Sequence, residues 1–305
     1  MDASSLQAFV AVAETGSFSA AAVRLHLTQP AISKRIAALE QRLQQRLFDR
    51  HIKPIRVTEA GNILLQAAHD IQQTSEDAEN RIRSLGTEIG GRLRIATSHH
   101  VGIHRLPQPL RDFTGSHPAV ELDLKFTDSE LAAEDVRQGQ VELAVATLPV
   151  STPDGLEALP IWHDELNVVV GKDHPLVQYK KISVDDLQQH AAVLPSRGTI
   201  TREVIDRLLK GTHALHVALE TNYLETIRVM VSVGLGWSVL PSSMLDGEIK
   251  AVAVDQHENH NTQLTRTLGI IRSLARTPSV AATEFVSMLR ANSEFDSPYM
   301  HRLKN

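Results

Sequence analysis

The first 58 residues carry a helical rhythm of apolar positions. Leu6, Phe9, Val10 and Ala13 fall at i, i+3, i+4 and i+7, the stripe of an amphipathic helix. Thr15-Gly16-Ser17 interrupts it, and Ser19 is a capping residue for a short helix over 20–25. His26-Leu27 forms a tight turn. Thr28 is then the N-cap candidate of a longer helix from Gln29, with Pro30 in the first turn, where a missing N–H is harmless. Ile32, Ile36, Leu39 and Leu43 mark its buried face at spacings of 4, 3 and 4. The rhythm stops at Phe48, and Ile52-Lys53-Pro54-Ile55-Arg56-Val57 predicts a small β-hairpin or wing.

Thr58 caps a long polar helix reaching about Leu85. Leu64, Ala67, Ile71, Thr74, Ala78 and Leu85 step by 3, 4, 3, 4 and 7, which fits a heptad seam. Such a seam predicts a dimer, because so polar a helix has little else to bury; packing on its own chain is the plainer alternative. Gly86, Gly90 and Gly91 mark a hinge.

From Arg92 the pattern changes. Leu93-Arg94-Ile95-Ala96 predicts a strand and residues 105–113 a helix. Residues 120–126 alternate with period two, 129–138 predict a helix and 141–146 a strand. A second unit begins with the strand at 166–170 and continues through 191–194, a helix over 201–209 and 217–219. Strands alternating with helices predict parallel sheets built from crossover units.

Composition adds three constraints. The 305 residues are 42% hydrophobic and 22% charged, enough for two or three domains with their own cores. There is no cysteine, which excludes disulfides and thiolate metal sites and fits a cytoplasmic protein. No apolar run is long enough to span a bilayer, so no membrane partner is expected, and the first residues do not have the pattern of a secretion signal. The net charge of −5 divides unevenly: residues 1–60 carry +3 and the other 245 carry −8. A basic head on an acidic body suits local binding of a polyanion.

Two short helices joined by a tight turn present the second to the DNA major groove. Thr28, Gln29, Pro30, Ser33, Lys34 and Arg35 lie near its exposed N-terminal end. Gln pairs bidentately with adenine, Ser bonds a base edge or a phosphate, and Pro30 meets a thymine methyl. Lys34, Arg35, Arg50, Lys53 and Arg56 are placed to neutralise phosphates. By spacing alone, the solvated face of a helical domain explains the same residues.

The order of residues is more specific than the spacing. Leu6-Gln-Ala-Phe9-Val-Ala-Val-Ala13, Gly16-Ser-Phe-Ser-Ala-Ala21, Leu25, Thr28-Gln29-Pro30-Ala31-Ile32-Ser33, Leu39-Glu40, Leu43, Leu47-Phe48, Arg50 and Thr58-Glu59-Ala60-Gly61 together resemble the start of a LysR-type transcriptional regulator. The resemblance implies a mixed fold. It comprises an all-α winged helix-turn-helix domain over 1–58, a dimerising linker helix over 59–87 and an effector-binding domain over 92–305. The last would be two α/β subdomains resembling periplasmic binding proteins, one of 92–163 with 268–305 and one of 164–267, joined by crossover strands near 162–165 and 264–268. One position departs from the family pattern: Gln44 stands where glycine is usual, so the third helix is expected to run on there and tilt the wing.

The same resemblance places a small ligand in the cleft between the subdomains. Thr97, Ser98, His99, His100, Thr127, Thr147, Arg197 and Thr199 lie at strand ends and helix starts, and this ring of hydroxyls beside an arginine suits a carboxylate or small inorganic anion. Ile95-Ala96-Thr97-Ser98-His99 and Val145-Ala146-Thr147 are also similar to the branch of the family that regulates cysteine biosynthesis and sulfur use, where threonines surround a sulfate-like anion. Helix capping by Thr97 and Ser98 is compatible with either outcome.

The expected partners are duplex DNA, a second copy of the chain forming a dimer or a pair of dimers (a tetramer), a small-molecule effector and RNA polymerase. A DNA-binding architectural dimer or tetramer without a ligand is the alternative. His99, His100 and His104 lie close in sequence, but with no cysteine and no zincin-type glutamate they are expected to hold no metal. Ser98 beside His99 lacks a nucleophile elbow, so no enzyme is expected.

Overall fold

The computed structural model describes residues 2–49, 54–83, 89–209, 215–255 and 264–295. Its contacts separate a unit over Met1–Leu85 from a second that holds most of the remaining chain.

The first unit opens with α1 (Ala3–Thr15), capped by the Asp2 carboxylate and ended by Gly16 in the left-handed region. A Cβ at Gly16 would stand 2.9 Å from Pro54 Cβ, so glycine is required twice over. Next come α2 (Phe18–Arg24) and α3 (Gln29–Leu43). Ser17, rather than Ser19, caps α2, accepting from Ala20 N–H. The turn between the helices holds His26 at φ 53°. Phe9, Phe18 and Phe48 meet in the core with Ile32, Ile36 and Leu39. Leu43 is 38% exposed and does not join them.

α3 does not run on. Gln44 adopts the left-handed conformation (φ 51°), its N–H donating to Gln41 O and Gln45 N–H to Glu40 O. This is a Schellman-type stop made without glycine, at a conformational penalty of about 1–2 kcal/mol. Glu40 Oε1 accepts from Leu47 N–H at 2.9 Å, fixing the segment that follows. The wing pairs β1 (Phe48–Asp49) with β2 (Arg56–Val57), so its first strand precedes the expected hairpin. Residues 50–53, including Arg50 and Lys53, lie outside the described residues.

Thr58 caps α4 (Glu59–Arg83), its hydroxyl accepting from Gly61 N–H and donating to Arg46 O. A Cβ on Gly61 would fall 2.3 Å from Leu47 O. Leu64 and Ala68 face this unit's own core, whereas Ile63, Ala67, Ile71, Thr74, Ala78 and Ile82 are exposed. Of the expected seam, Ala67, Ile71, Thr74 and Ala78 are thus on the open face, joined by Ile63 and Ile82, while Leu64 belongs to the core. Leu85 and Gly86 lie outside the described residues.

The second unit begins with β3 (Gly91–Thr97), α5 (His99–His104), α6 (Pro107–Ser116), β4 (Val120–Phe126), α7 (Ser129–Gln138) and β5 (Leu143–Thr147). Pro107 restarts the helix where one over 105–113 was expected. β3 lies between β4 and β5, parallel to both. The 16-residue β6 (Leu156–Gly171) then leaves this lobe for the next. There follow α8 (Val184–Gln188), β7 (Ala192–Leu194), α9 (Ile200–Leu208), β8 (Val217–Glu220), α10 (Leu224–Ser232), β9 (Ser238–Pro241) and β10 (Ile249–Ala251). β11 (Thr265–Ser273) returns to the first lobe, and α11 (Val280–Ala291) covers it.

β6 and β11 run antiparallel from Thr265↔Glu165 to Ser273↔Leu156 and carry the chain between lobes. Beyond them β6 pairs with β9 and β10, while β11 pairs with β5. Each lobe has apolar clusters of its own. Leu93, Ile95, Phe113 and Phe285 belong to the first lobe, and Leu187, Ile205, Trp237 and Val239 to the second. Trp237 is fully buried and donates to Leu187 O at 2.9 Å, a packing role. No helix among the described residues is long and apolar enough to cross a membrane.

Candidate DNA-reading face and effector cleft

At the start of α3, Thr28 Oγ1 accepts from Ala31 N–H, and Gln29 Nε2 donates to Ser33 Oγ at 2.9 Å. Thr28, Gln29, Pro30 and Lys34 are exposed; Ser33 and Arg35 are half-buried. The opposite side holds Ile32, Ile36 and Leu39 in the core. Period 3.6 therefore divides one short helix into an anchored face and a polar face. The polar face offers an amide, hydroxyls and cations near a helix N-terminus, the donor set that duplex DNA takes.

The second site is a cleft of about 480 Å³, counted to its open mouth, between the lobes of the second unit. The first lobe lines it with Ser98, His99 and His100 after β3, Asp128, Ser129 and Glu130 after β4, and Thr147 ending β5. The second lobe adds Thr199, Ile200 and Thr201 at the start of α9, Asn222 before α10, and Leu224. Carboxyl ends of parallel strands on either side of a central strand make such a crevice.

Of the expected ligand residues, Ser98, His99, His100, Thr147 and Thr199 line this cleft together. Ser98 starts α5 without a side-chain capping bond. Thr199 does cap α9, accepting from Arg202 N–H while donating to Ser196 O. Three expected residues do not line the cleft. Thr97 is fully buried and its hydroxyl donates to Val145 O at 2.8 Å, turned into the sheet instead of the cleft. Thr127 is held by its N–H to Thr97 O and is not among the lining residues. Arg197 sits exposed in the turn before α9 and is not among them either.

The cation of the cleft is Arg266, which the sequence reading missed. It stands on β11 directly opposite Asp164 of β6. Arg266 Nε donates to Asp164 Oδ2 and Nη1 to Thr201 Oγ1, each at 2.7 Å, while Nη2 is buried with no partner. A buried donor left unmatched is worth about 1–3 kcal/mol to whatever satisfies it. Sequence offered little to single it out, because β6 and β11 carry other charged residues as well, among them Glu157, Glu165 and Arg272.

Hydrogen bonds cross the cleft. Glu130 Oε1 accepts from Ile200 N–H at 2.8 Å, placing a carboxylate at the first turn of α9. Asn222 Nδ2 donates to Asp128 Oδ2 at 2.9 Å. Two imidazoles behave differently from each other. His99 packs its ring against Phe126 and Tyr223, with centroids 5.4 and 4.6 Å away. His100 is buried with neither ring nitrogen hydrogen-bonded; burial, then the nearby Arg266 charge, pulls its pKa down to about 3.

Comparison with known proteins agrees with this geometry. Residues 3–62 match the bacterial regulatory helix-turn-helix protein, lysR family, and residues 86–294 match the LysR substrate binding domain. The chain is 31% identical over 288 residues to a probable RuBisCO transcriptional regulator of Synechocystis sp., covering 92% of this chain and 83% of the relative. It is 30% identical over 288 residues to the HTH-type transcriptional regulator CysL of Bacillus subtilis, covering 94% and 96%. The solved structure of full-length CbnR complexed with its target DNA has the same fold, at TM-score 0.66, 24% identity and coverage of 96% and 100%.

Proposed function

Because the chain belongs to the LysR family of DNA-binding transcription regulators with a ligand-binding effector domain, we propose a finer reading: a small anion, carboxylate or sulfate-like, binds between the lobes and controls how the protein holds DNA. The observation that carries it is the buried, unpartnered Nη2 of Arg266 within a cleft lined by Ser98, Ser129, Thr147 and Thr199. Hydroxyl groups and one guanidinium in a desolvated crevice favour a small oxyanion over a neutral ligand. The Asp128 and Glu130 carboxylates oppose an anion, but both are engaged by donors of the opposite lobe. An incoming anion replaces Glu130 at Ile200 N–H or settles beside Arg266.

Members of this family are regulators and not enzymes, and catalysis has no part in this reading. The face of α3 reads bases through Gln29, Pro30 and Ser33 and holds phosphates through Lys34 and Arg35; CbnR, of like fold, binds its target DNA. The exposed stripe of Ile63, Ala67, Ile71, Ala78 and Ile82 on α4 pairs with a second copy, since a stripe repeating every three or four residues buries well against its equivalent. Two heads then meet successive major grooves.

Thermal denaturation of the full chain with sulfate, thiosulfate and short carboxylates tests the ligand. One of these is expected to raise Tm with concentration, as binding to the folded state must, and Ser98→Ala is expected to weaken the shift. If none of them moves the transition, the reading fails and the ligand-free architectural dimer takes its place.

A further inference from the structure

At one edge of the cleft three side chains converge that the anion reading does not use as a set. His100 and His104 lie one turn apart on α5, with ring centroids 4.9 Å apart. Glu225, in the first turn of α10 on the other lobe, places Oε1 3.0 Å from His104 Nε2. One potential ligand atom from each of the three lies within 4.8 Å of the others.

We propose that His100, His104 and Glu225 form a binding site for one first-row divalent transition metal ion, which ties α5 to α10 across the cleft. Three features carry it. The first is the donor set: two imidazoles and one carboxylate suit Zn²⁺, Co²⁺ or Ni²⁺ and not Mg²⁺ or Ca²⁺, which prefer oxygen. Distance is the second. Ligand atoms about 2.0–2.1 Å from a tetrahedral ion stand about 3.4 Å apart, so a modest turn of the side chains closes the site. The third is His100 itself, 5% exposed, with both ring nitrogens lacking a hydrogen bond. Asp164 Oδ2 lies 3.8 Å from His100 Nε2 and is the carboxylate in place to orient the ring, as carboxylates behind metal-bound histidines do.

His104 and Glu225 are each about one-third exposed, which gives the ion a way in. The ligands come from both lobes, so binding also resists their separation. The site shares His100 with the anion cleft but needs no anion.

The test is titration of the chelator-treated full-length protein with Co²⁺ and Zn²⁺, read by native mass spectrometry and by the visible spectrum of bound Co²⁺. His104→Gln and Glu225→Gln change partly exposed groups and leave the core intact. The expected result is one ion per chain, with imidazole-type Co²⁺ bands, and affinity at least about tenfold weaker in each variant. His190→Gln alters another adjacent histidine pair, with rings 4.7 Å from His174, and is expected to leave binding unchanged. Failure to bind one equivalent overturns the proposal, as does binding that survives both cleft variants. Neither result bears on whether sulfate or a carboxylate raises Tm.

Discussion

The face of α3 and the cleft between the lobes both present clustered polar groups, and they are built in opposite ways. The α3 face draws Thr28, Gln29, Pro30, Ser33 and Lys34 from one stretch of seven residues, mostly exposed, over a core that uses none of their polar atoms. The cleft gathers Ser98, Ser129, Thr147, Thr199 and Arg266 from separate segments, with Arg266 and Thr147 buried. Thr28 apart, whose hydroxyl caps α3, an exposed face can change its chemistry with little consequence for stability, because water satisfies what is left. A buried cluster cannot, since each of its hydrogen bonds also supports the fold. Binding and stability are therefore separable in the head and coupled in the effector domain.

The contrast is open to attack at both ends. The largest effect is expected from Arg266→Gln, which leaves buried Asp164 without its partner and should destabilise the effector domain by about 3–5 kcal/mol. Arg105, 3.6 Å from Asp164, holds the loss toward the lower end. Denaturant unfolding checks it, and an unchanged midpoint would erase the coupling. Gln29→Ala is the counterpart in the head. It should weaken binding to the cognate site by about 1–3 kcal/mol and leave Tm unchanged; equal losses on cognate and random duplexes would deny Gln29 a reading role.

Gln44→Gly removes a side chain from a left-handed position and should stabilise the head by about 1 kcal/mol. Calorimetry of wild type and variant measures this, and a loss of stability would mean that the bond from Gln44 Nε2 to Gln41 O outweighs the backbone penalty. Lys34→Ala is the mildest. It should lower the salt dependence of DNA binding by about one counterion while leaving sequence preference intact.

The same contrast explains what was legible in the sequence. The head was legible almost throughout because its determinants are local: Thr28 caps, Pro30 fits the first turn, and Ile32, Ile36 and Leu39 repeat with helical period. Its errors are local too. Ser17 caps in place of Ser19, and Gln44 takes the conformation usually given to glycine. On α4 the open stripe through Ala67, Ile71, Thr74 and Ala78 was legible from the spacing, and only the packing of Leu64 and Ala68 on the core shows that Leu64 does not belong to it.

In the effector domain, periodicity found most strands. β6 was expected in two pieces, 162–165 from the family resemblance and 166–170 from its apolar run, and residues 156–161, which include Pro160, were not read as strand. The cleft was half legible. Ser98, Thr147 and Thr199 line it from strand ends and helix starts, as their places in sequence suggest, and Thr97 turns away because one step along a strand reverses the face. Arg266 was hidden because its role depends on Asp164, 102 residues away in sequence. Such pairing is a property of the sheet register and not of any one segment.

The central claim is that an anion in the cleft acts on DNA held by the head. It is tested most directly by measuring affinity and bend angle for the cognate duplex, with and without the anion that raises Tm, in wild type and Ser98→Ala. The account predicts that the anion changes bend or affinity in the wild type, and that Ser98→Ala needs more anion for the same change. An anion that stabilises the wild-type protein yet leaves both bend and affinity unaltered would contradict it.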